Sequence, residues 1–303
     1  MGAWVLVLMF VCLFASAYAQ KRDPDILFVP TPQNVVEAML ELAGVNENDV
    51  VYDLGCGDGR FVITAAKKIG ARGVGIDIDP ERIKESTRNA EKQGVMNRVG
   101  FIEGDLYETD IREATVITLY LLSDLNLKLR PKLLLELRPG SRVISYTFNM
   151  GDWKPDKEGS DRGDSFYFWV IPAKVTGTWQ WSLGGTDTKQ QYQFQLEQKY
   201  QEIKGHVRFE GRQAKFLEPK LEGDQVRFEF ISEYQGQSVS MRFNGRVSGD
   251  TITGYVDIQG SSLKGTQAWN ATRLRTTNTG RDSIPFNISR DNDQFTAMLQ
   301  SEH

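Results

Sequence analysis

The sequence predicts an α/β domain with a mainly parallel sheet over residues 23–172, followed by an antiparallel all-β domain over residues 173–275. In the first half, short β-branched runs alternate with stretches of helical periodicity, which is typical of parallel strands joined by helical crossovers. After about Pro172 the pattern changes to strict alternation of apolar and polar residues. Such alternation indicates strands that bury one face, so the fold class predicted for the second half is all-β.

The first-half elements follow from apolar spacing and from turn residues. Val35, Val36, Met39 and Leu40 share one face of a helix that Gly44 ends. The sequence Asp79-Pro80-Glu81 opens another helix, and Pro139-Gly140 turns the chain into a strand. In chain order we predict a helix over residues 33–42, a strand over 50–54, a helix over 61–69, a strand over 73–78, a helix over 82–93, strands over 99–103 and 115–122, a helix over 126–137 and a strand over 142–148.

The second half contains clear alternating runs with turn signals between them. Their apolar members are Tyr192, Phe194 and Leu196; Val226, Phe228 and Phe230; Val239, Met241 and Phe243; and Trp269 with Ala271. The spacing predicts about eight strands, closed as a small barrel or a sandwich, with residues 176–179 and 269–273 as matching first and last strands. The arrangement faintly resembles lipocalin-like barrels. A small excess of basic side chains favours an acidic or extended partner for this domain, while a purely stabilising appendage is an equal alternative.

A glycine turn after the first predicted strand is the main candidate binding feature. Asp53 ends the strand, and Gly55, Gly57 and Gly59 follow at alternate positions, so backbone N–H groups can approach a ligand at the next helix. Asp77 lies 22 positions after Gly55, about the interval at which doubly wound folds place an acid on a ribose. A turn of this kind is shared by many nucleotide binders, including nicotinamide dehydrogenases.

Three motifs in order resemble the class I S-adenosylmethionine-dependent methyltransferases over roughly residues 25–172. They are the run D-L-G-C-G-D-G at residues 53–59, Asp77 after the second strand, and Gly104-Asp105-Leu106 after the third. The resemblance implies a Rossmann-like fold with S-adenosyl-L-methionine as cofactor. It places Asp53 and the glycines at the methionine part, Asp77 at the ribose hydroxyls and Asp105 at the adenine amine. A carboxylate before the glycines would repel a pyrophosphate and attract a sulfonium, which counts against a dehydrogenase.

A narrower resemblance is to bacterial relatives of mitochondrial protein-lysine N-methyltransferases that modify inner-membrane carrier and ATP-synthase subunits. It rests on F-V-P-T-P at residues 28–32, on residues 53–60 and on W-K-P at residues 153–155. It implies a protein substrate methylated on an amino group, with Phe28 and Thr31 capping the cofactor. Tyr120 and Trp153 would then flank an acceptor channel as catalytic-site residues, and core packing is the alternative for each.

Other features bound the function. The formal net charge of -4 and a pI near 5.5 give no reason to expect nucleic acid as partner. Residues 118–121 (T-L-Y-L) also lack the Asn/Asp-Pro-Pro-Tyr pattern of nucleic-acid amino methylases. No metal cluster is visible. Asp152 is a possible general base, but the favoured interpretation of this residue is a solvated loop carboxylate without a catalytic role. A small-molecule methyltransferase and a catalytically silent envelope binding protein remain the alternatives.

The first residues suggest export or membrane attachment. Residues 3–19 are almost wholly apolar and end in Ala17-Tyr18-Ala19, which favours a signal peptide cut after Ala19 and an exported or cell-envelope location. Lys21 and Arg22 follow directly, so the alternative is a membrane anchor with the domains facing the cytoplasm. Either way this segment contacts a membrane during targeting. The polar tail over residues 276–303 is predicted to be disordered.

Overall fold

The computed structural model describes residues 28–274, with the exception of residues 162, 184–189, 210, 235–236 and 261–263. The predicted leader over residues 1–19 and the polar tail over residues 276–303 lie outside the described residues. Within residues 28–274, as far as they are described, no helix has both the length and the apolar character needed to cross a membrane.

The first half forms a seven-stranded sheet in the order β3-β2-β1-β4-β5-β7-β6. β1 to β5 run parallel, and β7 and β6 add an antiparallel edge. The strands are β1 (Val50–Leu54), β2 (Arg72–Asp77), β3 (Val99–Glu103), β4 (Val116–Leu119), β5 (Arg142–Tyr146), β6 (Lys157–Asp161) and β7 (Asp164–Val170). The order reverses between β1 and β4, and open parallel sheets bind ligands at the carboxyl ends of their strands beside such a reversal.

Helices cover both faces of this sheet. They are α1 (Gln33–Leu42), α2 (Arg60–Thr64, continued by a π-helical turn at Ala65–Ile69), α3 (Pro80–Gln93) and α4 (Ser123–Glu136). The predicted apolar face of α1 is confirmed, because Val35, Val36, Met39 and Leu40 are all buried. Two apolar clusters, one containing Val51 and the other Leu54, occupy the space between helices and sheet.

The structure moves three predicted boundaries near the carboxyl edge of the sheet. β4 ends at Leu119 rather than at residue 122, and α4 begins at Ser123 rather than at residue 126. The apolar run continues past Leu119, but those residues leave the sheet and line a cavity. β5 ends at Tyr146 because the chain turns sharply at Thr147. The β6–β7 hairpin was not predicted.

The second half forms one nine-stranded antiparallel sheet, where about eight strands were expected. In spatial order it runs β11-β10-β9-β8-β16-β15-β14-β13-β12. The strands are β8 (Gly177–Leu183), β9 (Gln190–Lys199), β10 (Glu202–Phe209), β11 (Arg212–Lys215), β12 (Leu217–Glu222), β13 (Gln225–Tyr234), β14 (Gln237–Ser248), β15 (Thr251–Gln259) and β16 (Gly265–Arg273).

This second sheet curls into a nearly closed barrel. The predicted pairing of first and last strands is confirmed, because Thr272 and Arg273 of β16 lie opposite Gln180 and Trp179 of β8. Near the opposite seam, the Phe216 N–H donates to the Gly205 carbonyl at 3.1 Å. The interior is filled by aromatic rings, among them Phe228 and Phe243, whose centroids lie 4.9 Å apart. Alternation along each strand thus serves to pack a barrel core.

Candidate cofactor and acceptor site

The glycine turn lies between β1 and α2 and adopts the left-handed backbone that its sequence requires. Gly55, Gly57 and Gly59 have φ of 81°, 53° and 81°, values that cost a residue with a Cβ about 1 kcal/mol or more. The N–H groups of Gly55 and Cys56 donate to the Ile76 carbonyl at 2.8 and 2.9 Å, which ties the turn to β2. The turn is therefore held at the carboxyl edge of the sheet.

Asp77 ends β2 and fixes the middle of this turn. One carboxylate oxygen, Oδ2, accepts from the Gly57 N–H at 2.9 Å, and Oδ1 accepts from the Asp79 N–H at 3.0 Å. The side chain is half-buried and lines a cavity. Each carboxylate oxygen has a second lone pair, so Asp77 can accept two further hydrogen bonds from a ligand.

Asp53 is the penultimate residue of the buried strand β1, with only 3% of its surface exposed. The Thr118 hydroxyl on the neighbouring strand β4 donates to its Oδ1 at 2.7 Å. Burial raises the pKa of Asp53 to about 8, and the nearby Asp77 carboxylate adds to this, although the Thr118 bond opposes it. A cationic ligand group at this position would relieve the cost of the ionised form.

Asp105 stands at the carboxyl end of β3, in the third motif. Its Oδ1 accepts from the Tyr107 N–H at 2.8 Å, and its carbonyl accepts from the Thr109 hydroxyl at 2.8 Å. These bonds form a short turn that presents the carboxyl group to the same cavity as Asp53 and Asp77. Three acids from three adjacent strand ends thus meet in one place.

The cavity has a volume of about 1030 Å³, at the upper end of the range for small-molecule sites. The predicted site residues that line it are Phe28, Thr31, Asp53, Gly55, Asp77, Asp105 and Tyr120. Gly57 and Gly59 are not among its lining residues and instead shape the turn behind it. The structure therefore brings nearly all predicted cofactor residues together.

Phe28 closes the cavity beside the glycine turn. A Cβ added to Gly57 would lie 2.0 Å from Phe28 Cε2, so the ring packs directly on this glycine. The Arg82 guanidinium lies over the same ring, 5.0 Å from its centroid. Arg60 donates to the Thr31 carbonyl and pairs with Asp58. Residues 28–31 therefore form a strap that is fastened to the turn.

Gly57 has a positive φ and also leaves room for the Phe28 ring, and we expect Gly57→Ala to separate these two roles. The positive φ should lower the free energy of unfolding by about 1 kcal/mol, and the methyl group should displace Phe28 and weaken cofactor binding about tenfold. Gly94→Ala is the matched control, because Gly94 has φ of 70° but open space around it. Thermal unfolding should change alike in both variants, and calorimetry should find weaker S-adenosylhomocysteine binding only in Gly57→Ala. Equal affinities would contradict the strap.

Part of the cavity lining is apolar and aromatic. Tyr120 packs between Tyr146 and Phe148, with ring centroids 4.5 and 6.4 Å away. Leu121, Leu122 and Leu125 continue this wall. Tyr120 lines the same cavity as the acids, and its role beside an acceptor stays a prediction. Phe148 is an aromatic lining residue that the sequence did not single out.

Trp153 lies outside this wall, which corrects the expectation that it flanks the acceptor channel. Its side chain is fully buried and packs against Trp169, 5.7 Å away, and Tyr200, 5.8 Å away. Its indole N–H donates to Gln201 Oε1 at 2.9 Å. Trp153 serves core packing between the two sheets, the alternative that the sequence left open.

Asp152 is a poor candidate for the general base. Burial raises the pKa of this carboxyl, but hydrogen bonds from Lys199, Arg130 and Tyr200 outweigh that effect and lower it to about 2. It is not among the residues that line the cavity. A carboxylate held ionised in this way is a poor proton acceptor near neutral pH.

The strand order, the glycine turn and the three strand-end acids together define a Rossmann-like enzyme that binds a nucleoside-containing cofactor. The chain is 46% identical over 153 residues to a protein-lysine N-methyltransferase of Saccharolobus islandicus, covering 95% of that protein and 49% of this chain. The chain therefore belongs to the class I S-adenosylmethionine-dependent methyltransferases, and S-adenosylmethionine is its cofactor.

More particularly, residues 53–157 match the family described as ANTKMT methyltransferase domain. A human lysine N-methyltransferase named for a subunit of ATP synthase is 32% identical over 135 residues, which span 45% of this chain and 57% of that protein. A solved structure described as an RNA methyltransferase from Salinibacter ruber with S-adenosyl-L-homocysteine is 56% identical. The aligned region covers 48% of this chain and 96% of the Salinibacter ruber chain, with a TM-score of 0.48.

Proposed function

We propose that this methyltransferase modifies a protein on an amino group, with lysine as the acceptor residue. The observation that carries the proposal is the apolar, aromatic part of the lining around Tyr120 and Phe148, in the same cavity as the three acids. The similarity to the archaeal protein-lysine N-methyltransferase supports the same acceptor class.

The acids suit the cofactor that the family uses. Asp77 is assigned to the ribose hydroxyls, because a carboxylate accepts both and its two oxygens have free lone pairs. Asp105 is assigned to the adenine amine and Asp53 to the cationic methionine part, whose charge would favour the ionised carboxylate. When bound, S-adenosylmethionine supplies an electrophilic methyl group. Phe28 and Thr31 would exclude water from it.

The acceptor wall suits a lysine side chain. A lysine ammonium, with an ordinary pKa of about 10.4, must lose its proton before it can act as a nucleophile. Apolar surroundings such as Tyr120, Leu121 and Phe148 disfavour the charged form and lower that pKa. The protein's contribution is then to orient the amine and to keep water out.

Transfer of labelled methyl groups to separated protein, RNA and small-molecule fractions of a cell extract tests the proposal. We expect label in protein, released as methyl-lysine on hydrolysis. Tyr120→Leu should reduce transfer about tenfold while cofactor affinity stays unchanged, because it alters the acceptor wall alone. The exposed Tyr255 of β15 offers Tyr255→Leu as a matched control. Label in RNA or in small molecules would refute a protein acceptor.

For the location, we infer export or attachment to the cell envelope through residues 1–19, with cytoplasm-facing anchoring as the alternative. A reporter fused after residue 303, combined with protease access from each side of the membrane, distinguishes the two.

A further inference from the structure

The wall residue Phe148 is the second residue of a loop over residues 147–154 that leaves the carboxyl end of β5. We call it the acceptor-side loop. It starts with a strained turn: Thr147 has φ of 65°, and the Phe148 N–H donates to the Tyr146 carbonyl only two residues back, at 2.7 Å. A β-branched residue in this region is an outlier that costs about 1–3 kcal/mol. The loop keeps this shape only if other contacts hold it.

Hydrogen bonds from α4 hold part of the acceptor-side loop in place. The fully buried Asn126 donates through Nδ2 to Ser145 Oγ and to the Phe148 carbonyl, both at 3.1 Å. One helical turn later, Arg130 donates to the Met150 carbonyl at 2.8 Å and to Asp152 Oδ1 at 2.6 Å. These bonds fix the near side of the acceptor-side loop.

The far side is held by the tight turn between β9 and β10 of the barrel. The Tyr200 hydroxyl donates to Asp152 Oδ1 at 3.1 Å, and Lys199 pairs with Asp152 Oδ2 at 3.0 Å. Gln201 makes two bonds: Oε1 accepts from the Trp153 indole at 2.9 Å, and Nε2 donates to the Lys154 carbonyl at 2.7 Å. The barrel thus reaches the loop whose first residues form the acceptor wall.

Backbone strain occurs at both ends of this contact. In the described part of the chain, three non-glycine residues have positive φ: Thr147, Tyr200 and Glu218. Tyr200, with φ of 54°, occupies a tight hairpin position that normally favours glycine or asparagine. Its ring stacks on Trp153, and the Arg130 guanidinium lies 5.3 Å from its centroid. An unfavourable residue kept at such a position points to a role for its side chain.

We propose that the β9–β10 turn of the barrel is a positioning element for the methyl-acceptor wall, with Tyr200 and Gln201 as the positioning residues that act through the acceptor-side loop. The archaeal relative is matched over 95% of its length by 153 residues, so it has no room for a barrel of this size. Methyl transfer itself therefore does not require the barrel. The turn is expected to affect how this chain holds its own acceptor, and this step rests on the proposed function.

Tyr200→Gly is the informative variant, because glycine suits the backbone of the turn while the ring and hydroxyl are lost. We expect backbone amides of residues 148–154 to exchange with solvent about tenfold faster in the full-length protein. The KM for the labelled protein acceptor should rise about tenfold or more, while S-adenosylhomocysteine affinity stays within about twofold. Tyr200→Phe should restore most of the acceptor KM, and Gln201→Ala should resemble Tyr200→Gly.

Glu218→Gly is the matched control, since it relieves the third strained position at an exposed residue of β12. It should leave both readouts unchanged. The inference is overturned if the amides of residues 148–154 exchange in Tyr200→Gly at the wild-type rate, or if the KM for the acceptor is unchanged. It is also overturned if the affinity for S-adenosylhomocysteine falls by the same factor as the acceptor KM rises. If the wild type transfers no label to protein, the proposed function fails, and amide exchange of residues 148–154 alone decides whether the turn holds the wall.

Discussion

Replacing Asp77 with alanine is expected to lower the affinity for S-adenosylhomocysteine at least a hundredfold. Loss of the hydrogen bonds that two ribose hydroxyls donate to a charged acceptor corresponds to about 3 kcal/mol or more. The same carboxylate holds the Gly57 N–H, so its removal also loosens the glycine turn. Calorimetry on the purified protein measures the change, and methyl transfer should fall with cofactor occupancy.

Asp77→Asn separates the two contributions. The amide keeps one oxygen that can accept from the Gly57 N–H, but it cannot accept from both ribose hydroxyls and it lacks the charge. We therefore expect an affinity between those of the wild type and of Asp77→Ala, with a melting temperature near that of the wild type. Unchanged affinity in Asp77→Ala would remove Asp77 from the ribose site.

The sequence was sufficient to locate the acidic end of the site. Asp53, Asp77 and Asp105 each follow a short apolar run, and parallel strands place their carboxyl ends at one edge. The positive φ of Gly55 and Gly57 explains why the turn needs glycine. These features are local in sequence, so the strand-end positions and the resemblance to class I methyltransferases together predict that they converge.

The acceptor end was less predictable because it depends on long-range packing. Phe148 reaches the cavity through a strained turn that no local preference favours. Trp153, five residues later, is instead covered by the β9–β10 turn of the barrel, which sequence spacing cannot reveal. Thr118 was missed as the partner of Asp53 because their contact follows from the β1–β4 register.

In the barrel, too, local sequence predicted the strands, and long-range contacts were not predictable. Alternation predicted about eight strands, since each strand buries every second side chain, and the segments at residues 176–179 and 269–273 predicted the pairing of β8 with β16. It could not predict that Gln201 and Tyr200 would contact the acceptor-side loop, because glutamine and tyrosine in a hairpin look like ordinary surface residues.

Asp53→Asn should make the cofactor-free protein more stable at alkaline pH while weakening cofactor binding. The pKa of Asp53 is about 8 in the folded protein and near 3.8 when unfolded, so between these values the folded state binds more protons. Wild-type stability should therefore fall as pH rises from about 4 to about 8 and level off above. The variant lacks this loss, and its advantage should reach about 2–5 kcal/mol at pH 9.

Cofactor affinity should change in the opposite direction. In the wild type a bound cation favours the ionised carboxylate, so S-adenosylmethionine should bind more tightly as pH rises towards 8 and release a proton below that. The amide side chain of the Asp53→Asn variant cannot ionise, so in that variant this pH dependence should disappear. Unfolding and calorimetry at pH 5, 7 and 9 measure both effects.

Thr118→Val provides the matched test, because it is nearly isosteric and removes the hydroxyl that lowers the pKa of Asp53. The pH at which half of the stability is lost and the pH at which half of the affinity is gained should then both move to higher values. If stability responds and affinity does not, Asp53 is a buried acid without a role at the cofactor. A joint shift would mean that the same cost of ionising the buried Asp53 carboxyl lowers the stability of the free protein and favours a cationic ligand beside it.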